Sequence, residues 1–142
     1  MIIDVGDADD IHPRDKQTVG HRLACLALHN DYGMADIYCE SPQPLKAVKH
    51  GDNVLVTFEN VAGGLKAKSR YGYVCGFAVA GKDGKYRWVR AETSGIDAVL
   101  LNCTGIDNPK SVRYAWADNP DDANLYNSAG LPAAPFEKAV EE

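Results

Sequence analysis

Short runs of alternating apolar and polar residues, separated by turn residues, dominate the chain from Ala35 onward. In residues 53–58, for example, Val54, Val56 and Phe58 fall on one side of an extended strand. The other runs of this kind are residues 73–80, 86–91, 98–102 and 111–116. Short strands with this spacing, joined by Gly, Asn and Asp, predict an antiparallel β-sandwich.

The segments around these runs carry turn and loop signals. Residues 81–84, with the sequence Gly-Lys-Asp-Gly, predict a tight hairpin. Residues 118–136 are rich in Asn, Asp, Gly and Pro, which predicts a loop rather than a strand. Four apolar side chains of this segment need cover, so we expect it to wrap over the sandwich: Leu125, Tyr126, Leu131 and Phe136. Residues 139–142 are expected to be frayed.

The first 33 residues follow a different pattern. The apolar run in residues 2–5 ends at Gly6 and predicts a strand buried on both faces. Pro13 suits the first turn of a helix, and Gly33 is typical of a helix end. Between them, apolar residues recur at helical spacing: Val19, Leu23, Leu26 and Ala27.

We therefore predict a mixed α and β chain with two parts. Residues 1–33 form the C-terminal strand-loop-helix unit of an α/β domain, and residues 34–142 form the β-sandwich with its wrapping tail. A single strand and helix cannot satisfy their own backbone and apolar groups. We therefore expect either a homo-oligomer or a missing N-terminal region to cover them.

Composition narrows the class of protein. The net charge of -5 argues against nucleic acid as a partner, because nucleic-acid binding favours a basic surface. No apolar run approaches the roughly 20 residues that a membrane span needs. Neither the four cysteines nor His21, His29 and His50 have the spacing of a zinc site, so we expect no metal.

A histidine lies beside carboxylates just before the predicted helix. A histidine general base needs an acid that orients its ring, and Asp9 lies three residues before His12, within reach across a turn. Asp10 is the competing acid. The same aspartates, together with Asp7, also suit turn formation and helix capping, so this pattern supports two interpretations.

Several segments together resemble one family of esterases. They are residues 3–7, 10–20, 64–68, 76–81, 112–120, 124–127 and 130–136. The first two are similar to the last catalytic block of sialate O-acetylesterases, which belong to the SGNH hydrolase superfamily. The others are similar in order and spacing to the C-terminal β-rich region of that family. The resemblance covers essentially all 142 residues.

The resemblance implies a hydrolase without a cofactor that removes O-acetyl groups from sialic acids or related acetylated sugars. In this family a serine attacks the acetyl carbonyl, and the carried-over base is His12. Asp9 fits the D-x-x-H spacing of the superfamily and ranks first as the orienting acid, with Asp10 second. Similar family sequences also place an acid nearer Asp4 and Asp7.

The nucleophile block of the family, a Gly-x-Ser, has no counterpart in the chain. The five serines all lie in the β-rich part and match none of the family motifs: Ser41, Ser69, Ser94, Ser111 and Ser128. We therefore expect the C-terminal portion of an esterase, inactive alone. The sequence does not determine a cellular location, and we expect a periplasmic or secreted parent protein.

A different class of function is also compatible with the sequence. The chain could be a stand-alone β-sandwich that binds carbohydrate or supports structure without catalysis. Trp88 and Trp116 are candidates to stack on a sugar. Arg113 is a candidate to bind a carboxylate ligand, but we expect it to be solvated or salt-bridged. Large aromatic residues more often anchor a core or a contact between domains, and we expect that role for both tryptophans.

Overall fold

The computed structural model describes all 142 residues, in one helix and eleven strands. The helix is α1 (Lys16–Asn30). The strands are β1 (Gln43–His50), β2 (Asn53–Glu59), β3 (Leu65–Ala67), β4 (Tyr73–Val74), β5 (Phe77–Ala80), β6 (Tyr86–Trp88), β7 (Ala91–Ser94), β8 (Ala98–Leu101), β9 (Ser111–Tyr114), β10 (Leu125–Asn127) and β11 (Phe136–Glu141). The chain is therefore mostly β, with a single helix near its N-terminus.

Nine strands form one curled sheet that resembles half a barrel, in the order β4-β7-β8-β2-β1-β11-β9-β5-β6. The remaining two strands, β10 and β3, pair separately. All neighbours are antiparallel except β1 and β11, which pair in parallel with Ala47 opposite Val140. The structure thus differs from the expected antiparallel sandwich, because β11 joins both halves of the β region into one mixed sheet.

The C-terminal residues lie at the centre of this sheet. Residues 139–142, expected to be frayed, mostly belong to β11, which lies between β1 and β9. Ala139 pairs with Ser111 on one side, and Glu141 pairs with Val48 on the other. That expectation is wrong because the two neighbouring strands satisfy the backbone groups of the chain terminus.

An aromatic cluster fills the inside of the curl. The ring of Phe136 lies 5.8 Å from Phe58, 6.1 Å from Phe77 and 5.8 Å from Tyr114, measured between ring centroids. These four side chains come from four different strands of the sheet, so their packing draws its two halves together. The four apolar residues of the tail are buried: Leu125, Tyr126, Leu131 and Phe136. Part of the segment for which the sequence predicts a loop forms β10, which pairs with β3.

Sequence alternation located several strands but missed some interruptions. Residues 54, 56 and 58 are buried as predicted, and the hairpin at residues 81–84 joins β5 to β6. The run at 73–80 is broken at Gly76, where φ is 91° and the Tyr114 ring and Ala123 lie close to the glycine. The two pieces pair with different strands, β4 with β7 and β5 with β9.

The predicted N-terminal strand is absent. Residues 2–5 form a turn, in which the Val5 N–H donates to the Ile2 carbonyl at 3.2 Å. The helix begins at Lys16, later than Pro13 suggests, because the Asp15 carboxylate accepts from the Thr18 N–H at 2.9 Å and caps it. α1 buries none of its residues, and the structure has no helix with the length and apolar character of a membrane span.

Candidate functional site

The predicted catalytic block forms a compact turn just before α1. The Asp10 N–H donates to the Asp7 carbonyl at 3.4 Å, and the Asp9 N–H donates to the Asp7 carboxylate at 3.1 Å. The His12 N–H donates to the Asp10 carboxylate at 2.8 Å. Asp7 and Asp10 therefore shape the backbone of this loop, as turn-forming aspartates do.

The His12 imidazole and the Asp9 carboxylate remain unpaired. The side chains of His12 and Asp9 are exposed, and neither forms a hydrogen bond or ion pair within the chain. The structure brings Asp9, Asp10 and His12 into one short loop but does not join a carboxylate to the ring. An exposed imidazole with nearby carboxylates is able to accept a proton from a group brought to it.

The loop borders a cleft that sequence reasoning did not anticipate. One wall contains Asp4, Gly6 and Asp7, and the other contains Asn119 and neighbouring tail residues. The cleft has a volume of about 360 Å³. The Asn119 amide oxygen lies 3.9 Å from the position of a Cβ on Gly6. The C-terminal tail therefore forms part of the surface beside the predicted catalytic block.

A polar clamp, formed by Asp4, Arg22 and Tyr126, attaches this N-terminal region to the β domain. Both Arg22 Nη atoms donate to the Asp4 carboxylate, at 2.6 and 2.8 Å, and one also donates to the Met1 carbonyl at 2.8 Å. The Tyr126 hydroxyl, from β10, donates to the same carboxylate at 3.2 Å. The Asp4 and Arg22 side chains are each 11% exposed.

The clamp shifts the pKa values of its members. Desolvation raises the pKa of Asp4, but the hydrogen bonds and charge of Arg22 outweigh it, so the net pKa lies below its ordinary value. Burial, and then the Asp4 charge, raises the pKa of Tyr126 to about 12. The Asp4 carboxylate is therefore held ionised and paired, which favours a positioning role over proton transfer.

A second group of polar and aromatic side chains lies on the outer face of the sheet. We call this group the aromatic cradle: Tyr86, Trp88, Arg113 and Trp116. Both tryptophans are exposed, Trp88 by 67% and Trp116 by 52%. Neither tryptophan therefore packs into the core of this chain, and the expected contact with another domain stays a prediction. The predicted strand at residues 111–116 is shorter in the structure, because β9 ends at Tyr114 and Ala115 has a left-handed φ of 49°.

The cysteines, and the histidines other than His12, do not form a metal site. All four cysteines are free thiols, and only Cys103 is buried. No group of three or more His, Cys, Asp or Glu side chains is arranged to hold a metal ion.

Comparison with known proteins relates the chain to carbohydrate esterases. No family model matches it. Sialate O-acetylesterases from Pongo abelii and Homo sapiens are 30% and 29% identical to it, each over 96% of the chain. The crystal structure of a carbohydrate acetylesterase from Xanthomonas citri superimposes with a TM-score of 0.87, at 36% identity, over 95% of the chain.

These relatives are much longer than the chain. The chain spans 28% of the length of the two sialate O-acetylesterases and 31% of the Xanthomonas citri protein. This low share agrees with the expectation that the chain corresponds to the C-terminal portion of such a protein. Nearly the whole length of the chain is thus matched by several sialate O-acetylesterases, and the chain is a homologue of part of these proteins.

Proposed function

We propose that the chain is the C-terminal portion of a carbohydrate O-acetylesterase of the SGNH type, acting on O-acetylated sialic acid or a related acetylated sugar. The observation that carries the proposal is that the match to sialate O-acetylesterases covers 96% of the chain. Since 4% of 142 residues is about 6, the matched span includes position 12. The D-x-x-H block therefore lies within the region of similarity.

In the proposed reaction, His12 is the general base. A serine from a part of the parent protein outside these 142 residues attacks the acetyl carbonyl, and His12 accepts the serine proton. The tetrahedral intermediate then collapses, the bond from the acetyl carbon to the sugar oxygen breaks, and His12 returns the proton to that oxygen. Water, activated by the same imidazole, hydrolyses the acetyl-serine and releases acetate.

The free carboxylate of Asp9 supports its role as the orienting acid. Asp9 has no side-chain partner, so it is free to turn toward the His12 ring when the site is complete. Asp10 is already engaged, since its Oδ1 accepts the His12 N–H at 2.8 Å. We therefore place Asp9 in the catalytic group and assign Asp10 to shaping the loop, with Asp10 as the alternative acid.

The exposed apolar residues near this loop support a larger catalytic domain. Ile11 is 91% exposed and Leu23, on α1, is 62% exposed. Exposed apolar side chains on the loop and on the helix that follows it favour cover by other protein. We propose that the rest of the esterase domain covers them, and a homo-oligomer is the alternative.

A chimera tests this function directly. The chain replaces the corresponding segment of the Xanthomonas citri acetylesterase, to which it is 36% identical, and deacetylation of p-nitrophenyl acetate is measured. We expect an active chimera in which His12→Ala lowers kcat by a factor of about 10³ or more, because a general base contributes a factor of about 10²–10⁴. Asp9→Asn is expected to lower kcat more than Asp10→Asn, which keeps an oxygen acceptor for the His12 N–H.

His50→Ala is the matched control, because His50 is also exposed but lies at the end of β1. It is expected to leave kcat unchanged. An active chimera that is insensitive to His12→Ala refutes the role of His12. Hydrolysis by the 142-residue chain alone, abolished by His12→Ala, contradicts the proposed external serine.

A further inference from the structure

One row of side chains crosses four adjacent strands on the outer face of the sheet. Trp88 on β6 lies opposite Ala78 on β5, Ala78 lies opposite Arg113 on β9, and Arg113 lies opposite Glu137 on β11. Residues in register on neighbouring strands project from the same face. Phe77 belongs to the core, so this row points away from it.

Small residues at the centre of this row leave a hollow. Gly76 and Ala78 form its floor, and the aromatic cradle forms its walls. Its volume is about 130 Å³. Pockets for drug-sized ligands measure about 300–1,000 Å³, so this hollow fits a single ring rather than an extended ligand.

The walls of the hollow are held in place without filling it. The Arg113 guanidinium lies 3.8 Å from the centroid of the Tyr86 ring and 5.0 Å from that of Trp116. Its Nε donates to the Glu137 carboxylate at 2.8 Å, and the Tyr86 hydroxyl donates to Ser111 at 2.8 Å. These contacts fix the cation and one ring before any ligand arrives, which lowers the entropic cost of binding.

Unused hydrogen-bonding groups border the exposed aromatic faces. The two Nη atoms of Arg113 form no hydrogen bond within the chain, since only its Nε is engaged. Glu137 is exposed on the same row; its carboxylate already accepts from Arg113 Nε and from the Ser111 hydroxyl, and its remaining lone pairs can accept from a sugar hydroxyl. An apolar ring face combined with a cation and a carboxylate matches a sugar, which has C–H faces and a rim of hydroxyl groups.

We propose that the aromatic cradle is a carbohydrate-binding site for one sugar ring, stacked on Trp88 or Trp116 and hydrogen-bonded to Arg113. A carboxylate on the sugar is favoured, because the free Nη atoms provide a bidentate donor pair. The assignment of the sugar class deepens the proposed esterase function and rests on it, but binding at the cradle is measurable without catalysis.

The position of the cradle fits a role beside the reaction. Trp116 and Asn119 are three residues apart in one loop, so their Cα atoms lie within about 11 Å of each other. Asn119 borders the cleft that also contains Asp7 of the predicted catalytic block. The loop of residues 116–119 therefore borders both the cradle, through Trp116, and the cleft, through Asn119.

The indole N–H signals provide a direct assay, because the two tryptophans of the chain are both in the cradle. Sialyllactose or lactose is titrated into the 15N-labelled chain, and both indole signals are followed by NMR. We expect saturable shifts with a Kd in the millimolar range, tighter for sialyllactose. Trp88→Ala should weaken binding by about tenfold, the upper range for one aromatic contact.

Two further variants separate binding in the hollow from a general surface effect. Ala78→Leu fills the hollow while keeping both tryptophans, and it should abolish the shifts. Arg87→Ala changes the opposite side of β6, the strand that carries Trp88. Arg87 pairs there with Asp83, and its replacement should leave sugar binding unchanged. Dispersed amide signals show that each variant is folded.

The proposal is overturned if neither sugar shifts the indole signals at tens of millimolar, or if Ala78→Leu binds as well as the parent chain. Sugar binding that persists while the chimera fails the His12 test refutes only the esterase mechanism. A catalytic chimera without sugar binding at the cradle refutes only the present proposal.

Discussion

Removing the arginine of the polar clamp should release α1 from the β domain without unfolding the sheet. The helix buries no residue, so Arg22 and its contacts with Asp4 and the Met1 carbonyl are its principal polar attachment. Arg22→Met keeps a side chain of similar length but removes all three hydrogen bonds. It also leaves the Asp4 carboxylate with only the Tyr126 hydroxyl as a partner.

The burial of the Asp4–Arg22 pair determines how much free energy Arg22→Met removes from the attachment of α1. Removing one partner of a buried ion pair typically costs about 3–5 kcal/mol, because the remaining charge stays desolvated. Since each side chain of the Asp4–Arg22 pair is 11% exposed, we expect the lower end of that range, about 3 kcal/mol. Each 1.4 kcal/mol is a factor of ten, so amide protection in α1 should fall about a hundredfold.

The chain contains a natural control with the same geometry. Arg87 also donates from both Nη atoms to an aspartate, Asp83, at 3.2 and 2.6 Å, but these side chains are 46% and 41% exposed. Water already solvates such a pair, so Arg87→Met should change the protection of α1 and of the sheet very little.

Native-state hydrogen exchange measured residue by residue distinguishes the outcomes. We expect Arg22→Met to lower protection in α1 while amides of β2 and β8 keep theirs. Equal effects of Arg22→Met and Arg87→Met would show that burial does not decide the strength of the pair. An equal loss of protection in α1 and in the sheet would show that the helix does not open as a separate unit.

Three further outcomes are expected. The folded-state pKa of Asp4 lies below its ordinary value of 3.8, so its stabilisation is fully present above the unfolded pKa and is lost as pH falls through the folded one. Protection of α1 should therefore decline below about pH 4, and Asp4→Asn should reduce this dependence. The Asp15 N-cap, whose pKa is also lowered by its hydrogen bonds with Thr18, retains part of it. Gly81→Ala should lower the free energy of unfolding in urea by about 3 kcal/mol, since the added Cβ would meet the Asp107 carbonyl. Gly84→Ala, at a left-handed position with open space around it, should lower it by about 1 kcal/mol. Phe136→Ala should cost about 4 kcal/mol and lower the thermal midpoint, because it removes the centre of the aromatic cluster; an unchanged midpoint would contradict the assigned core.

Local sequence patterns were sufficient for several strands. Alternation identified the buried face of β2, and the Gly-Lys-Asp-Gly turn identified the hairpin between β5 and β6. Alternation did not identify β11, because its last residues alternate weakly and the chain ends there in two glutamates. Alternation reports which side of a strand is buried, but it carries no information about which strand lies next to it.

For the candidate catalytic loop, too, the sequence predicted the position of the residues and only the structure showed their contacts. Residue types and spacing brought Asp9, Asp10 and His12 to one loop before a helix, and the structure has them there. Only the structure shows that Asp10 bonds the His12 backbone and that the Asp9 carboxylate is free. A carboxylate three residues from a histidine can serve either purpose, and the backbone conformation of the turn decides between them.

The sequence by itself determined a β-rich chain with one N-terminal helix, most of the apolar residues of its core, and a similarity to sialate O-acetylesterases through motifs spread over its length. Tertiary structure alone decided that β1 and β11 pair in parallel, that the helix is attached through a polar clamp, and that both tryptophans face solvent. The physical reason is that side-chain periodicity is a local property. Strand pairing, buried ion pairs and surface hollows depend on contacts between residues far apart in the chain, such as Asp4 and Tyr126.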